Sequence, residues 1–244
     1  SFMQAHPHEQ PEQLLSILQE EQTNMPARAA LDMALHSLLT QAKPSDSDHL
    51  SFATAPQPPS FYTIAACTSL GEMQERVVLG EQNGFTHFKL KLIDENIAPT
   101  LDWFRACTAL PFAVDANQSW QSVDVAVAHS FTLQQHGCLF IEQPFAKDAL
   151  AAQAALKWQS ALPVFADESC QRLQQLPALA DAFNGVNIKL LKCGGLTEAY
   201  QMIQQARVLG LQVLIGCMSE SSVGCSAAAS LAPLCDYADL DGPF

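Results

Sequence analysis

Short apolar runs alternate with longer amphipathic stretches along the chain from residue 61 onward. Eight of these runs have the length and composition of buried strands. They begin at Phe61, His87, Phe112, Cys138, Val164, Gly185, Gln212 and Asp236. The stretches between them show helical spacing, most clearly over 73–84, 122–137 and 196–210, and the last two end in glycine, as helices often do. The pattern predicts alternating strands and helices.

A polar residue stands near the end of each predicted strand, and successive members of this series are 22 to 28 residues apart. The series is Thr63, Lys89, Asp115, Glu142, Asp167, Lys189, Cys217 and Asp239. One strand, one helix and two short loops need about that length, so eight units predict an α/β barrel of the TIM type, (β/α)8. A doubly wound open sheet is the competing fold, but it normally carries a glycine-rich phosphate loop after its first strand, and CTSLGE is a poor match.

The first part of the chain has a different pattern. Apolar residues recur at helical spacing over 26–42, and Pro26 suits a first helical turn. Residues 43–60 are rich in proline, serine and aspartate, which is typical of a linker or a long irregular loop. We therefore predict a helical segment and a linker over 1–59, followed by one barrel domain over 60–244.

The chain is acidic, with a formal net charge of -13. This excess argues against a nucleic-acid partner and against docking on an anionic membrane. No apolar run reaches the roughly 18 residues of a membrane span, and no basic-then-apolar leader opens the chain. The eight cysteines are scattered without a C-x-x-C pair, which predicts reduced core thiols in a cytoplasmic protein. These features fit an enzyme with a small-molecule substrate.

Charged residues interrupt the apolar runs in a way that requires explanation, because burying a lone ion is costly. Asp115, Glu142 and Asp167 lie at the ends of three successive predicted strands, where the side chains converge on one face of a barrel. A hard divalent cation, Mg²⁺ or Mn²⁺, resolves the repulsion between three such carboxylates. The alternative is three separate salt bridges at the barrel rim.

Four of the seven lysines also lie in or just after these runs: Lys89, Lys91, Lys189 and Lys192. Lys89 and Lys91 are two apart on one strand and point the same way, so their repulsion is expected to lower the pKa of at least one of them. Lys189 is on the sixth strand, across the barrel from the second. Two bases that flank one substrate carbon can remove a proton from one face and return one to the other, with a metal stabilising the enediolate.

Asp239 and Asp241 form a D-x-D on the last predicted strand, and strand alternation places both on one side. A pair of carboxylates that does not bind the metal can hold a substrate ammonium group. A solvated acidic turn explains the same pattern, and the sequence alone does not decide between the two.

These residues also carry a family resemblance. The series FKLKL, VDAN, IEQP, ADES, NIKLLKCGG, GCMSES and DLDGP resembles the enolase superfamily in its muconate-lactonizing branch, and within it most of all the L-Ala-D/L-Glu dipeptide epimerases. The resemblance implies a modified (β/α)7β barrel after a capping domain. ALDMALHSLL resembles the last helix of that cap, so residues 1–59 are expected to be a partial capping segment.

The resemblance implies a role for each residue. Asp115, Glu142 and Asp167 match the Mg²⁺ ligands, Lys91 and Lys189 match the opposed acid/base lysines, Lys89 matches the partner of Lys91, and Lys192 is secondary. Asp239 and Asp241 match the pair that binds the ammonium of a dipeptide, and Thr63, Cys217 and Ser219 match pocket-lining positions.

The implied activity is Mg²⁺-dependent epimerisation of dipeptides, such as L-Ala-D/L-Glu from cell-wall turnover, in a barrel of a kind that often forms homo-oligomers. Three alternatives stay open. They are a cycloisomerase or o-succinylbenzoate synthase of the same branch, a metal-free Schiff-base barrel, and a non-catalytic binding barrel without its lid.

Overall fold

A computed structural model describes residues 2–6, 8–21, 23–42, 56–92 and 97–243. Its strands form one parallel sheet in the order β1 to β8. They are β1 Phe61–Ile64, β2 His87–Lys91, β3 Phe112–Asp115, β4 Cys138–Glu142, β5 Val164–Ala166, β6 Gly185–Lys189, β7 Gln212–Gly216 and β8 Tyr237–Asp239. Ser60 forms a parallel bridge with Ala238, whose N–H donates to Pro59 O at 2.9 Å. The last strand, β8, therefore lies beside the residues that precede β1. The prediction of a TIM-type barrel from eight strand-helix units is confirmed.

The helices lie around this barrel and before it. Within the described residues, three helices precede it: α1 Phe2–Ala5, α2 Pro11–Leu18 and α3 Met25–Ala42. The others are α4 Leu70–Gln82, α5 Ala98–Cys107, α6 Val123–Gln135, α7 Leu150–Gln159, α8 Leu176–Ala182, α9 Leu190–Cys193, α10 Leu196–Val208 and α11 Ser222–Ala229. The helices predicted over 26–42, 73–84, 122–137 and 196–210 are therefore confirmed. Most of the predicted linker, residues 43–55, lies outside the described residues. No helix of the described part of the chain is long and apolar enough to cross a bilayer.

Aromatic side chains fill the barrel interior toward the amino-terminal ends of the strands. The rings of Phe140 and Phe165 stack with centroids 4.3 Å apart, and Phe61 and Tyr237 pack against Phe140. Gly185 leaves the necessary space, because a Cβ there would lie 2.5 Å from the Phe165 ring. This packed layer fills the interior near the amino-terminal ends of the strands. Polar side chains further along each strand therefore face the opening at the carboxyl-terminal ends.

Helix α3 is attached to the barrel at the connection between β6 and α10. The Arg28 guanidinium lies 3.0 Å from Glu198 on α10, and both side chains are buried. Asp32 accepts from the N–H groups of Leu196 and Thr197 at 2.6 and 3.2 Å, which satisfies the free amino-terminal end of α10. These polar contacts join two segments that are far apart along the chain.

Candidate active site

Three carboxylates meet at the carboxyl ends of adjacent strands. Asp115 ends β3, Glu142 ends β4 and Asp167 directly follows β5. Asp115 pairs with Glu142 in the sheet register, and the exposure of the three residues is only 2%, 0% and 5%. One oxygen from each lies within 4.8 Å of the other two. The structure thus brings together the three residues that the sequence proposes as metal ligands.

Each of these carboxylates has one oxygen held by a donor other than Lys89, Lys91 and Lys189. The three donations are Asn117 N to Asp115 Oδ1 at 2.9 Å, Asn187 Nδ2 to Glu142 Oε1 at 2.8 Å, and Lys192 Nζ to Asp167 Oδ1 at 2.6 Å. Such contacts fix the orientation of the carboxylates.

The second oxygen of each carboxylate faces one of the other lysines. The three distances are Lys91 Nζ to Asp115 Oδ2 at 3.2 Å, Lys89 Nζ to Glu142 Oε2 at 2.7 Å, and Lys189 Nζ to Asp167 Oδ2 at 2.7 Å. Salt bridges therefore do form at these carboxylates, as the alternative proposes, but within one cluster and not at separate places along the rim.

Lys91 and Lys189 lie on opposite sides of this cluster. Lys91 ends β2 and Lys189 ends β6, four strands apart in a barrel of eight, with β3, β4 and β5 between them. The Lys91 side chain is 37% exposed and also donates to Asn117 Oδ1 at 2.8 Å, whereas Lys189 is 11% exposed. A small molecule held above the carboxylates has one lysine on each flank.

Lys89 lies deeper than Lys91, and repulsion between the two lysines does not lower the pKa of Lys89. Burial opposes the charged form of Lys89, but Asp239, Glu142 and Asp115 outweigh burial and hold its pKa well above the usual value. Asp239 Oδ2 and Glu142 Oε2 both lie 2.7 Å from its Nζ. A Schiff base at this position is disfavoured, since it requires a neutral amine.

Burial and neighbouring charge also shift the other groups of the cluster. Burial raises the pKa of Glu142 to about 7, although Lys89 opposes this. Burial likewise disfavours the ionised form of Asp167, but Lys192 and Lys189 outweigh it and hold the Asp167 pKa below its usual range. For Lys189, burial acts against the ammonium, and Asp167 and Glu142 raise the pKa in spite of it.

Asp239 and Asp241 share one side of the opening. Asp239 ends β8, and Asp241 lies two residues beyond the strand. The sequence analysis predicted that both residues are on the strand, so the prediction is wrong for Asp241. Thr63 on β1 contacts both, because its Oγ1 donates to Asp239 Oδ1 at 3.3 Å and its N–H donates to Asp241 Oδ2 at 2.6 Å. Burial and the nearby Asp239 raise the pKa of Asp241. The pair is therefore not a solvated acidic turn.

A cavity of about 430 Å³ occupies the opening of the barrel. The sequence-predicted residues that line it are Thr63, Lys89, Lys91, Asp115, Asp167, Lys189, Lys192, Cys217, Ser219, Asp239 and Asp241. Glu142 lies below it, fully buried. Lining residues that the sequence reasoning did not propose are Asn117, Glu168, Gln171, Met218 and Gly242.

Sequence reasoning also missed two buried amides that support the carboxylates. In GVNIK, Asn187 is two residues before Lys189, and alternate residues of a strand point to the same face. This spacing could have indicated that Asn187 points to the same side as Lys189. Gln143 directly follows Glu142. Its Oε1 accepts from the N–H groups of Asp167 and Ser169 at 2.9 and 3.0 Å, which fixes the loop after β5.

The cluster fits a divalent cation on two observations. All three candidate ligand groups are carboxylates, the donor type that hard cations such as Mg²⁺ prefer. In addition, one oxygen of each carboxylate lies within 4.8 Å of the other two, and a cation shared by the three groups would relieve the repulsion between them.

Comparison with known proteins agrees with this geometry. The model of the family described as Enolase C-terminal domain-like matches residues 72–240. The chain belongs to the enolase superfamily. An L-Ala-D/L-Glu epimerase of Bacteroides thetaiotaomicron is 40% identical over 218 residues, which cover 88% of this chain and 56% of the relative. The chain thus spans little more than half the length of that relative.

Solved structures of this superfamily share the fold. An L-Ala-D/L-Glu epimerase superposes with a TM-score of 0.84 at 33% identity, over 98% of this chain and 74% of the other. A dipeptide epimerase from Methylococcus capsulatus, solved with Mg and the dipeptide L-Arg-D-Lys, gives a TM-score of 0.83 at 32% identity, over 95% and 68%. The enolase-superfamily relationship predicted from the motifs is confirmed.

Proposed function

We propose that this barrel belongs to a metal-dependent epimerase of dipeptides, of the L-Ala-D/L-Glu type, which moves the proton on the carbon next to the substrate carboxylate. One observation carries the proposal: two lysines from opposed strands flank a buried cluster of three carboxylates. Similarity to proteins described as L-Ala-D/L-Glu and dipeptide epimerases supports the substrate class.

Asp115, Glu142 and Asp167 are the groups that would hold the cation. We infer Mg²⁺, since the donors are oxygens and a relative was solved with Mg, and Mn²⁺ has the same donor preference. Bound there, the cation supplies positive charge that stabilises the negative charge developing on the substrate carboxylate as the α-proton leaves.

Lys91 and Lys189 act on opposite faces of the α-carbon, where one removes the α-proton and the other supplies a new proton. For one epimer, neutral Lys91 removes the proton from its face, and the Lys189 ammonium delivers a different proton to the opposite face. Lys91 then carries a positive charge and Lys189 is neutral, which is the starting state for the reverse reaction. Because the two ammonium groups stand on opposite sides of the opening, proton removal and return invert the configuration.

Asp239 and Asp241 are proposed to bind the amino terminus of the dipeptide. Thr63 holds both carboxylates on one side of the cavity. Lys89 lies 2.7 Å from Asp239 and from Glu142, so it neutralises charge between the ammonium subsite and the metal ligands. Its raised pKa suits this electrostatic role and not that of a base.

Proton exchange in D₂O tests the proposal directly. The protein is incubated with Mg²⁺ and either L-Ala-L-Glu or L-Ala-D-Glu, and the glutamyl α-proton is followed by NMR. Wild-type protein is expected to exchange this proton in both epimers and to interconvert them. Lys91→Gln and Lys189→Gln are each expected to lose exchange from one epimer, by about 10²-fold or more, and to keep it from the other.

A matched control is Lys157→Gln, which removes a lysine that donates to Ala180 O at 2.6 Å on the outside of the barrel. Its exchange rates should equal those of wild type. Absence of deuterium at the α-carbon of every dipeptide tried, with Mg²⁺ present, would contradict the proposed reaction and favour a cycloisomerase, a lyase or a binding protein.

The wider organisation is also a proposal. We infer that residues 1–59 are part of a capping domain and that residues 60–244 form the catalytic barrel.

All eight cysteines are free thiols, and five of them are buried, which supports a reducing, cytoplasmic setting. Trp158, with 81% exposure, and Val208, with 80%, offer apolar surface for a homo-oligomer, which light scattering of the purified protein would detect.

A further inference from the structure

Lys192 is a buried lysine for which the proposed reaction has no use. Its Nζ donates to Asp167 Oδ1 at 2.6 Å, to the main-chain oxygen of Asp167 at 2.7 Å and to the main-chain oxygen of Asn187 at 3.0 Å. An ammonium group carries three hydrogens and no acceptor, so these contacts use all of them. Lys192 therefore has no hydrogen left to donate to a substrate.

The two oxygens of Asp167 are divided between two lysines. Lys192 takes Oδ1, and Lys189 takes Oδ2 at 2.7 Å. Lys189 is the lysine that the proposed reaction uses, so Oδ2 is the oxygen on the acid/base side. A side chain that fixes Oδ1 therefore decides how Oδ2 is presented to the centre of the cluster.

The main-chain contacts of Lys192 have a second effect. The pairing of β5 with β6 ends at Ala166 and Val186. The residues that come next are Asp167, just after β5, and Asn187 in β6. The Lys192 ammonium joins them, because it donates to the main-chain oxygen of each. Lys192 thus continues the connection between the two strands beyond the point where their direct pairing ends, in the layer that carries Asp167 and Lys189.

We propose that Lys192 is a positioning residue, which holds the Asp167 carboxylate and the ends of β5 and β6 in the geometry that binds the metal, and which takes no part in proton transfer. The inference rests on the proposed function for the identity of the metal ligands. Its test does not require turnover of any dipeptide.

The sign of a change in metal affinity separates positioning from charge. If Lys192 acted only through its charge, its removal would take a positive group away from a bound cation and Mg²⁺ would bind more tightly. If it positions Asp167, its removal weakens binding, and loss of such an orienting contact typically costs 10- to 100-fold in metal affinity. The two interpretations therefore predict opposite directions.

Isothermal titration of the metal-free protein with MgCl₂ alone gives this readout. We expect the Mg²⁺ dissociation constant to rise about 10-fold in Lys192→Gln, which keeps a shorter hydrogen-bond donor, and up to about 100-fold in Lys192→Met, which keeps none. Lys157→Gln is the control and should bind as wild type does. If Lys192→Met does not fold, Lys192→Gln alone decides. An unchanged or tighter dissociation constant in that variant overturns the proposal, as does a wild-type protein that binds no Mg²⁺.

Exchange in D₂O at saturating Mg²⁺ adds a second readout. A positioning role predicts that Lys192→Gln slows exchange of both dipeptide epimers by a similar factor. Loss of exchange from one epimer only, as in Lys189→Gln, would make Lys192 an acid/base group and overturn the proposal. If wild-type protein exchanges no dipeptide, the proposed function fails, while the Mg²⁺ titration still decides the role of Lys192.

Discussion

Substitution of Gly216 by alanine tests whether the barrel interior sets the geometry of the site. Gly216 ends β7 and pairs with Lys189 of β6, and its Cα faces the side chain of Asn187. An added Cβ would lie 3.0 Å from Asn187 Nδ2 and 3.1 Å from its Cγ, and closer still to Oδ1, where ordinary contacts begin at 3.4 Å. Asn187 cannot simply withdraw, because its Nδ2 already contacts Glu142 Oε1 at 2.8 Å on the other side. Either the amide rotates out of this bond or Glu142 moves.

Both outcomes have a calculable cost. Overpacking of a filled interior costs about 1–3 kcal/mol, and loss of a buried hydrogen bond to a charged group costs about 1.5–3 kcal/mol. We expect Gly216→Ala to lower the free energy of unfolding by about 2–4 kcal/mol, measured by urea denaturation. Because Glu142 is a proposed metal ligand, Mg²⁺ affinity should also fall, by about 10-fold or more, in a calorimetric titration.

Gly71→Ala is the matched control for this substitution. Gly71 lies in the first turn of α4, and the nearest atom to an added Cβ is Ser69 Oγ at 3.9 Å, so the methyl group meets no obstacle. Alanine in a helix is more favourable than glycine by up to about 1 kcal/mol, so this variant should be as stable as wild type or more so. If Gly216→Ala matched Gly71→Ala in stability and kept wild-type Mg²⁺ affinity, Asn187 would not be confined as the structure indicates.

Three further predictions concern charge. In metal-free protein, the Glu142 pKa of about 7 means that the folded state keeps a proton that the unfolded chain has released above its ordinary pKa near 4.5. The Glu142 contribution to stability should therefore fall by about 3 kcal/mol as the pH rises from 4.5 to 8, and Glu142→Gln should make this slope shallower in urea denaturation with EDTA present. Arg28→Met removes one partner of the buried Glu198 carboxylate, which keeps Arg172 as a second partner, and should cost about 1.5–3 kcal/mol at neutral pH in the same assay. A loss below 1 kcal/mol would argue against a buried pair. Mg²⁺ at 100 times its dissociation constant should stabilise wild-type protein by about 2.7 kcal/mol in thermal denaturation, and Asp115→Ala should lose this effect.

The fold could be predicted from the sequence because barrel strands are buried on both faces. Such strands appear as continuous apolar runs, and a charge within a run stands out because burial alone cannot explain it. Asp115, Glu142 and Asp167 were recognisable for this reason, and the regular spacing assigned them to adjacent strands. The buried amide of Asn187 gave a weaker signal, since an uncharged polar group requires only a hydrogen bond and no counter-ion.

The charge state of Lys89 could not be predicted from its neighbours in the chain. Lys91, two residues away, suggests repulsion, but the fold places Asp239, 150 residues further on, at 2.7 Å from Lys89. The attachment of α3 was hidden in the same way, because Arg28 and Glu198 are 170 residues apart. Local patterns define the strands and helices, whereas the pKa of a buried group depends on partners that only the closed barrel brings together.

The balance of charge in the site argues for the cation independently of its ligand geometry. Counted in their ionised forms, six carboxylates stand against four ammonium groups, which leaves an excess of two negative charges. The carboxylates are Asp115, Glu142, Asp167, Glu168, Asp239 and Asp241, and the ammonium groups are Lys89, Lys91, Lys189 and Lys192. A substrate carboxylate entering such a site meets net repulsion, and each lysine that gives up a proton to act as a base increases it. A divalent cation would cancel this excess and would also replace the ammonium groups as the partner of the inner carboxylate oxygens. Lysines that must be free to exchange protons cannot at the same time be the permanent counter-ions of three buried carboxylates, so the proposed proton transfer requires a further positive charge in this cluster.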